Sequence, residues 1–301
     1  MVQNSTQKIY KPLLTPGHTA CGGCGQALAA RLVVDIAGPN VIVVNNTGCL
    51  EVFSTAYPES SWEVPFIHSL FENAGAVASG VESALKYLGK ENQINVIAQA
   101  GDGGTADIGL QALSGMWERG HNVLSICYDN EAYMNTGIQR SGLTPLDTNT
   151  TTSPVGKLSY GNIRPKKNMV EIAVAHGIPY VASASVGFFR DLQRKVKKAL
   201  SLKGPKFIHI HCPCPLGWRH EPNLTLEVAK MAVETGLFPL LEFESGKLIN
   251  VYKIKEFKPV EEYLKLQGRF KHLLLPEAKA ELARVQEIAN GNIERYGLLA
   301  K

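Results

Sequence analysis

Short apolar runs alternate along the chain with stretches in which apolar residues recur at helical spacing. The runs VIVVNN (41–46), INVIAQA (94–100), NVLSICYD (122–129) and KFIHIH (206–211) are β-branched or nearly continuously apolar, and predict strands. Between them, the segment after Cys24 predicts an amphipathic helix ending near Gly38, NAGAVASG after Glu72 a small-residue helix, and ADIGLQALSGMWERG a helix ending at Gly120. Strand, tight turn, helix and strand in that order predict parallel pairing. The fold class expected is α/β, a doubly wound, mostly parallel sheet with helices on both faces. Farther on, HEPNLTLEVAKMAVETG predicts a helix capped near Asn223, and LFPLLEFESGKLINVYKI a hairpin turning at Ser245-Gly246. Beyond Lys258 a helical tail follows, with Pro276 near a helix start. The chain thus divides into an α/β domain over 1–220 and an extension of helix, hairpin and helical tail over 221–301.

The stretch GDGGTADIGLQALSGMWERGHNVLSICYDNEAYMNTG (101–137) organises the rest. One strand runs into Gly101-Asp102-Gly103-Gly104 and the next ends at Asp129-Asn130-Glu131. Both reach the carboxyl rim, where open α/β sheets bind ligands. Gly101 to Ala106 also satisfies G-x-G-x-x-G/A, with Asp129 placed for a ribose, which is a dinucleotide reading. Asp102 argues against it, because a carboxylate inside a loop whose amides face a pyrophosphate repels the ligand. A Mg²⁺ ion between them removes the objection, since it binds through one or two protein oxygens plus substrate phosphates. Asp102 and the side-chain carbonyl of Asn130, 28 positions on (130 − 102), supply such oxygens. The stretch reads as a cradle for a diphosphate and its metal. The plainer alternative is a solvated turn aspartate and a strand-end asparagine capping its own loop.

Composition sets the remaining bounds. A chain of 301 residues, 45% hydrophobic and 19% charged with a formal charge of +4, is ordinary for a globular protein and gives no pointer to nucleic acid. The opening MVQNSTQKIYKPLLTPG lacks the apolar core of a signal peptide and no run reaches the length of a membrane span, so a cytoplasmic location is expected. There, six cysteines are metal ligands, reactive groups or core fillers rather than disulfides. Cys127, inside an apolar strand, reads as core. Cys21-x-x-Cys24 at a helix start, Cys49 in Thr47-Gly48-Cys49 and one cysteine of Cys212-Pro213-Cys214-Pro215 suit a four-thiolate site. Spacing favours neither zinc nor a [4Fe–4S] cluster.

With these residues the chain resembles the β subunits of the 2-oxoacid:ferredoxin oxidoreductases, and most of all the pyruvate-type enzyme. GHTACGGCG, TGCLEVF, IHSLFENAGAVASGVE, GDGGTADIGLQALSGMWERGH, CYDNEAYMNTGIQRS, TTSPVGK, HGIPYVASAS and CPCPLGWR carry the resemblance, in order, from Gly17 to about Arg219. It implies a sheet of the thiamine diphosphate-binding type, with thiamine diphosphate, Mg²⁺ and one [4Fe–4S] cluster held within 1–220. The implied cluster ligands are Cys21, Cys24, Cys49 and Cys214, the last lying between prolines as in the family. Cys212 departs from a position that often holds a small apolar residue. The implied Mg²⁺ ligands are Asp102, the Asn130 side chain and the backbone carbonyl of Ala132. Gly101, Gly103 and Gly104 would place amides near the diphosphate, and Asn135 and Thr136 would lie close to the thiazolium and the substrate as catalytic groups. Gln26 stands where several relatives carry an acidic or other polar side chain, and no catalytic role rests on it.

The implied activity is the thiamine-dependent oxidative decarboxylation of a 2-oxoacid, pyruvate to acetyl-CoA and CO₂ in either direction, with electrons passing through the cluster to ferredoxin. No second cofactor-binding half is visible in the chain. The implied partners are therefore α- or γ-type subunits supplying the pyrimidine-side half and the substrate pocket, a ferredoxin-like cluster subunit, ferredoxin and coenzyme A. Neither nucleic acid nor membrane is expected. The alternatives are the same machinery acting on 2-oxoglutarate or oxalate, a non-oxidative thiamine lyase with structural zinc, and a nucleotide-binding subunit without catalysis. Other features carry plainer expectations. His68 is structural, and the basic helix of Arg190, Arg194, Lys195, Lys197 and Lys198 is a solvated face rather than a ferredoxin dock. The turn-rich loop 148–168 covers the cofactor or meets a partner chain, and 221–301 makes subunit contacts.

Overall fold

The computed structural model describes residues 11–300, so most of the stretch read for a signal peptide lies outside the described residues. The chain begins α1 (Gly25–Ala37), β1 (Val41–Asn46), α2 (Cys49–Ser54), β2 (Phe66–Ser69), α3 (Ala74–Tyr87), β3 (Asn95–Gly101), α4 (Asp102–Ala106), α5 (Leu110–Glu118) and β4 (Val123–Asp129). A small hairpin, β5 (Val155–Gly156) and β6 (Ser159–Tyr160), precedes α6 (Met169–Ala175), β7 (Tyr180–Ser185), α7 (Phe189–Ser201), β8 (Lys206–His211) and α8 (Pro215–Trp218). Then come α9 (Thr225–Glu234), β9 (Leu241–Glu244), β10 (Lys247–Val251), α10 (Val260–Leu264) and α11 (Lys279–Tyr296).

The main sheet has the order β10-β9-β7-β8-β4-β3-β1-β2. The strands from β7 to β2 in that order run parallel. The hairpin β9–β10, which turns at Ser245-Gly246 as its sequence predicts, joins β7 antiparallel at the edge. From β1 the chain passes to one side for β2 and to the other for β3. That reversal opens a crevice at the carboxyl ends of β1 and β3.

Alternation along the strands explains the two layers of helices. Val41 and Val43 of β1, Ile97 of β3, Leu124, Ile126 and Tyr128 of β4 and Ile208 and Ile210 of β8 face one core, covered by Val33 and Val34 of α1 and Leu192 and Val196 of α7. Val44, Val96, Ala98, Val123, Cys127 and Phe207 face the other, covered by Ala78 and Leu85 of α3, Met116 and Trp117 of α5 and Met169 and Ala173 of α6. Strands buried on both faces read as continuous apolar runs, the pattern found in the sequence. A third cluster, with Trp218, Met231, Leu240, Tyr263, Phe270, Val285 and Ala289, seats α10 and α11 on α9. No helix among the described residues is long and apolar enough to cross a membrane.

A local expectation fails at one point. The helix predicted to continue to Gly120 is broken at Asp107, which leaves helical backbone with φ −114° and ψ −94°. The cause is tertiary: the Asp107 carboxylate is held by the Tyr133 hydroxyl (3.0 Å), the Gly142 amide (2.8 Å) and Lys167 (2.7 Å). The helix expected to be capped near Asn223 begins at Thr225 with Leu224 as its cap residue, after a tight turn over Pro222–Leu224. Thr225 Oγ1 donates to Gly23 O at 2.6 Å, which ties this helix start to the CxxC turn.

Candidate cofactor and metal site

At the carboxyl rim, Gly101 pairs with Tyr128, so Asp102 leaves the sheet beside Asp129 and Asn130. Three strand ends wall one open cleft of about 630 Å³. β1 contributes Thr47, Gly48 and Cys49; β3 contributes Gly101 to Gly104; and β4 contributes Asn130 and Ala132 to Thr136. Phe71 and Gln26 complete the lining. The glycines are required by close approach: a Cβ at Gly103 would overlap the Tyr133 ring, and one at Gly104 would overlap the Asn46 amide. Asp129 is not free to meet a ribose, because its carboxylate is engaged by His209 (2.7 Å) and Lys166 (2.6 Å).

Asp102 Oδ1, the Asn130 amide and Ala132 O meet at one point. With its nitrogen inward, the amide donates to Asp102 Oδ1 and Ala132 O at 2.9 Å each; with its oxygen inward, three oxygens converge at that spacing. The first arrangement closes the loop without an ion, and the second is the donor set of a hard divalent cation. Asp102 is 1% exposed, and its Oδ2 accepts a short hydrogen bond from Ser141 Oγ. Burial, and then the neighbouring Asp129 charge, push its pKa well above the usual carboxylate range against that hydrogen bond. A cation at the convergence point would reverse both effects. The residues present fit Mg²⁺.

Asn135 and Thr136 stand exposed at the mouth of the cleft, and Thr136 Oγ1 donates to Gln139 at 2.6 Å. Gln26 is buried deeper, and its Oε1 lines the cleft without a hydrogen-bond partner. It is thus an unsatisfied polar group in the wall of the cleft, at a position for which the sequence suggested no role. Ser141, Phe71 and Tyr133 also reach the site; they lie within stretches that carry the resemblance, but nothing in their local pattern singles them out as site residues. The loop 148–168 contributes nothing to the cleft lining. His68 lies on edge strand β2, its Nε2 2.9 Å from Thr47 Oγ1. The basic face of α7 is largely neutralised: Arg194 pairs with Asp191 (2.9 Å) and Glu242 (2.6 Å), and Lys198 with Glu242 (3.1 Å) and Glu244 (2.9 Å).

The expected iron–sulfur cluster is corrected by the structure. Among the described residues, no group of three or more His, Cys, Asp or Glu side chains is gathered so as to hold a metal ion, and the expected set Cys21, Cys24, Cys49 and Cys214 is therefore not a cluster site. The thiols sense one another but serve separate local roles. Cys24 Sγ caps α1 by accepting from Ala27 N, and Cys214 Sγ caps α8 by accepting from Gly217 N, each at 3.4 Å. Burial, with the other thiols adding to it, pushes the Cys49 thiol up to about 12 and that of Cys214 to about 11, which favours neutral thiols over thiolates. Cys21 is exposed. Cys127 is fully buried, as expected, and so is Cys212, which lies just past the end of β8 and belongs to the core.

The profile described as "Thiamine pyrophosphate enzyme, C-terminal TPP binding domain" matches residues 46–210, the segment that carries β1, β3, β4 and the cleft. The chain is 57% identical to the pyruvate synthase subunit PorB of Methanosarcina barkeri over 96% of this chain and 98% of that one. It is 54% identical to that of Methanocaldococcus jannaschii, over 94% and 96%. The ketoisovalerate oxidoreductase subunit VorB of Pyrococcus furiosus is 46% identical over 95% and 92%. In fold, the chain is similar to the solved 2-oxoglutarate:ferredoxin oxidoreductase from Magnetococcus marinus, with a TM-score of 0.56 and 23% identity over 71% of this chain and 77% of that one. The chain therefore belongs to the thiamine diphosphate-binding β subunits of the 2-oxoacid:ferredoxin oxidoreductases, and its activity is that of an oxidoreductase on 2-oxoacids.

Proposed function

We propose that the chain binds thiamine diphosphate and Mg²⁺ in the rim cleft and acts, within a multi-subunit complex, in the oxidative decarboxylation of pyruvate to acetyl-CoA and CO₂. The observation that carries this reading is the convergence of the Asp102 carboxylate, the Asn130 side-chain amide and the Ala132 carbonyl on a glycine-walled cleft. Thiamine diphosphate supplies a carbanion and an electron sink for cleavage next to the 2-oxoacid carbonyl. Asp102, the Asn130 carbonyl and Ala132 O hold the ion that neutralises the diphosphate, and Gly101, Gly103 and Gly104 let the backbone approach it. Asn135 and Thr136, at the mouth, are the groups placed to meet the substrate.

Pyruvate is preferred over a branched 2-oxoacid because the relatives named pyruvate synthase are 52–57% identical and those named ketoisovalerate oxidoreductase 46–51%. The open cleft accords with partner subunits that complete the pyrimidine side and the substrate pocket, and with coenzyme A and ferredoxin as co-substrates of the assembled enzyme. Residues 221–301 are proposed as subunit contacts of this assembly. No iron–sulfur cluster is assigned to this chain. The test is thiamine diphosphate binding by equilibrium dialysis, with and without Mg²⁺, followed by pyruvate- and coenzyme A-dependent dye reduction by the purified complex. Mg²⁺-dependent binding with pyruvate turnover is the expected result; binding without any 2-oxoacid-dependent reduction would overturn the assignment.

A further inference from the structure

The residue between the two proposed metal-binding positions of β4 has a backbone conformation that needs an external cause. Glu131 has φ +66°, the left-handed region that disfavours side chains with a Cβ, and it is buried. This conformation turns the chain so that the Asn130 side chain and the Ala132 carbonyl face the same point. Two cations from remote segments grip its carboxylate: Lys166 Nζ at 2.7 Å and Arg269 at 2.5 Å. Lys166 also bridges to Asp129 at 2.6 Å, and Asp129 Oδ1 accepts from Glu131 N at 3.0 Å. Arg269 stacks on Trp218 with its guanidinium carbon 3.8 Å from the ring centroid, and Trp218 Nε1 donates to Asn130 O at 2.7 Å. Two carboxylates and two cations thus pair around the backbone of 130–131.

We propose that Arg269 and Lys166 are positioning residues for the metal loop: by gripping Glu131 they hold it left-handed and thereby aim Asn130 and Ala132 at the divalent cation. This rests on the Mg²⁺ reading above. Arg269 lies outside the matched segment 46–210 and fully buried beside the helical tail, so this part of the chain acts on the cofactor site through one side chain. Arginine suits the task because its planar head bonds Glu131 through Nη2 and Gln267 through Nε while its face stacks on an indole, which lysine cannot reproduce.

The experiment measures the Mg²⁺ concentration for half-maximal thiamine diphosphate loading of the purified complex by equilibrium dialysis, alongside its melting temperature without cofactor. Arg269→Gln is expected to raise that concentration about tenfold or more, the scale of groups that support metal ligands from behind, with loading recovered at saturating Mg²⁺. Arg269→Lys is expected to rescue only in part. In the Glu131→Gln background, Arg269→Gln should add nothing further, because the arginine acts through that carboxylate. An unchanged Mg²⁺ requirement in Arg269→Gln or Lys166→Met, whatever happens to the melting temperature, would overturn the proposal while leaving the Mg²⁺ reading intact. Additive shifts in the double variant would also overturn it. If the single variants fail to assemble, the charge-balanced Glu131→Gln/Arg269→Gln variant decides: a wild-type Mg²⁺ requirement in it overturns the proposal and a raised one supports it. Loading of the unmodified complex that ignores Mg²⁺ removes the metal reading and this proposal together.

Discussion

The Asn130 amide sits 2.9 Å from Asp102 Oδ1, two residues that come from the ends of different strands and meet only because β3 and β4 are parallel neighbours in register. A hydrogen bond there satisfies the loop without an ion, whereas a metal requires the amide to turn its oxygen inward. On the proposed Mg²⁺ reading, the contact would be a two-position element that the ion sets.

Removing either partner should weaken metal-assisted binding strongly. Asp102→Ala and Asn130→Ala are expected to weaken thiamine diphosphate binding in the presence of Mg²⁺ on the order of 100-fold, since a site with few protein oxygens has no substitute for one lost. Isothermal titration with and without Mg²⁺ checks this. Variants that bind as well as the unmodified chain would remove these residues from the site.

The glycine turn should tolerate no Cβ where backbone meets backbone. A Cβ at Gly109 would overlap Gly104 O, so Gly109→Ala should cost about 1–3 kcal/mol, as overpacking does, and displace the Gly104 loop. Gly80, inside α3 with nothing within 4 Å of an added Cβ, is the contrast. Gly80→Ala should stabilise by about 0.5–1 kcal/mol through helix propensity. Denaturant unfolding of both variants measures the pair.

At the mouth of the cleft, Asn135→Ala should lower kcat/KM for the 2-oxoacid about tenfold or more, in the range of a lost polar contact to a reacting group. Thiamine diphosphate loading should not change, because Asn135 is exposed and apart from the three converging oxygens. Steady-state kinetics with cofactor occupancy measured on the same sample separates the two effects.

His211 provides a pH test independent of catalysis. It is fully buried between the rings of Trp218 and Phe238, neither ring nitrogen has a hydrogen-bond partner, and burial lowers its pKa from 6.5 to about 4 despite the nearby Glu131. Between those values the unfolded chain binds a proton that the folded chain refuses, so this group's contribution to stability falls as pH drops from 6.5 toward 4. The loss is about 3 kcal/mol at full extent. Urea unfolding from pH 7 to 4 should therefore show a steeper acid decline for the unmodified chain than for His211→Phe. Parallel declines would show that His211 titrates normally.

The layers and the rim were legible in the residue pattern. Runs such as VLSICYD are buried on both faces, and a strand of that kind forms only between two layers of helices, so periodicity alone implied the doubly wound sheet. Strand ends at Gly101 and Asp129 then placed Asp102 and Asn130 on one edge, because parallel neighbours end together. Tertiary structure decided what long-range contacts control. The break at Asp107 follows from Tyr133, Gly142 and Lys167, none within its helix. The Glu131 conformation follows from Lys166 and from Arg269, 138 positions away. The cysteines show the limit most clearly: four residues at suggestive spacings became two helix caps, a surface thiol and a half-buried thiol on the cleft wall. Spacing along a chain fixes which residues lie on a rim, whereas a metal site needs atoms at bonding distances, which only packing sets.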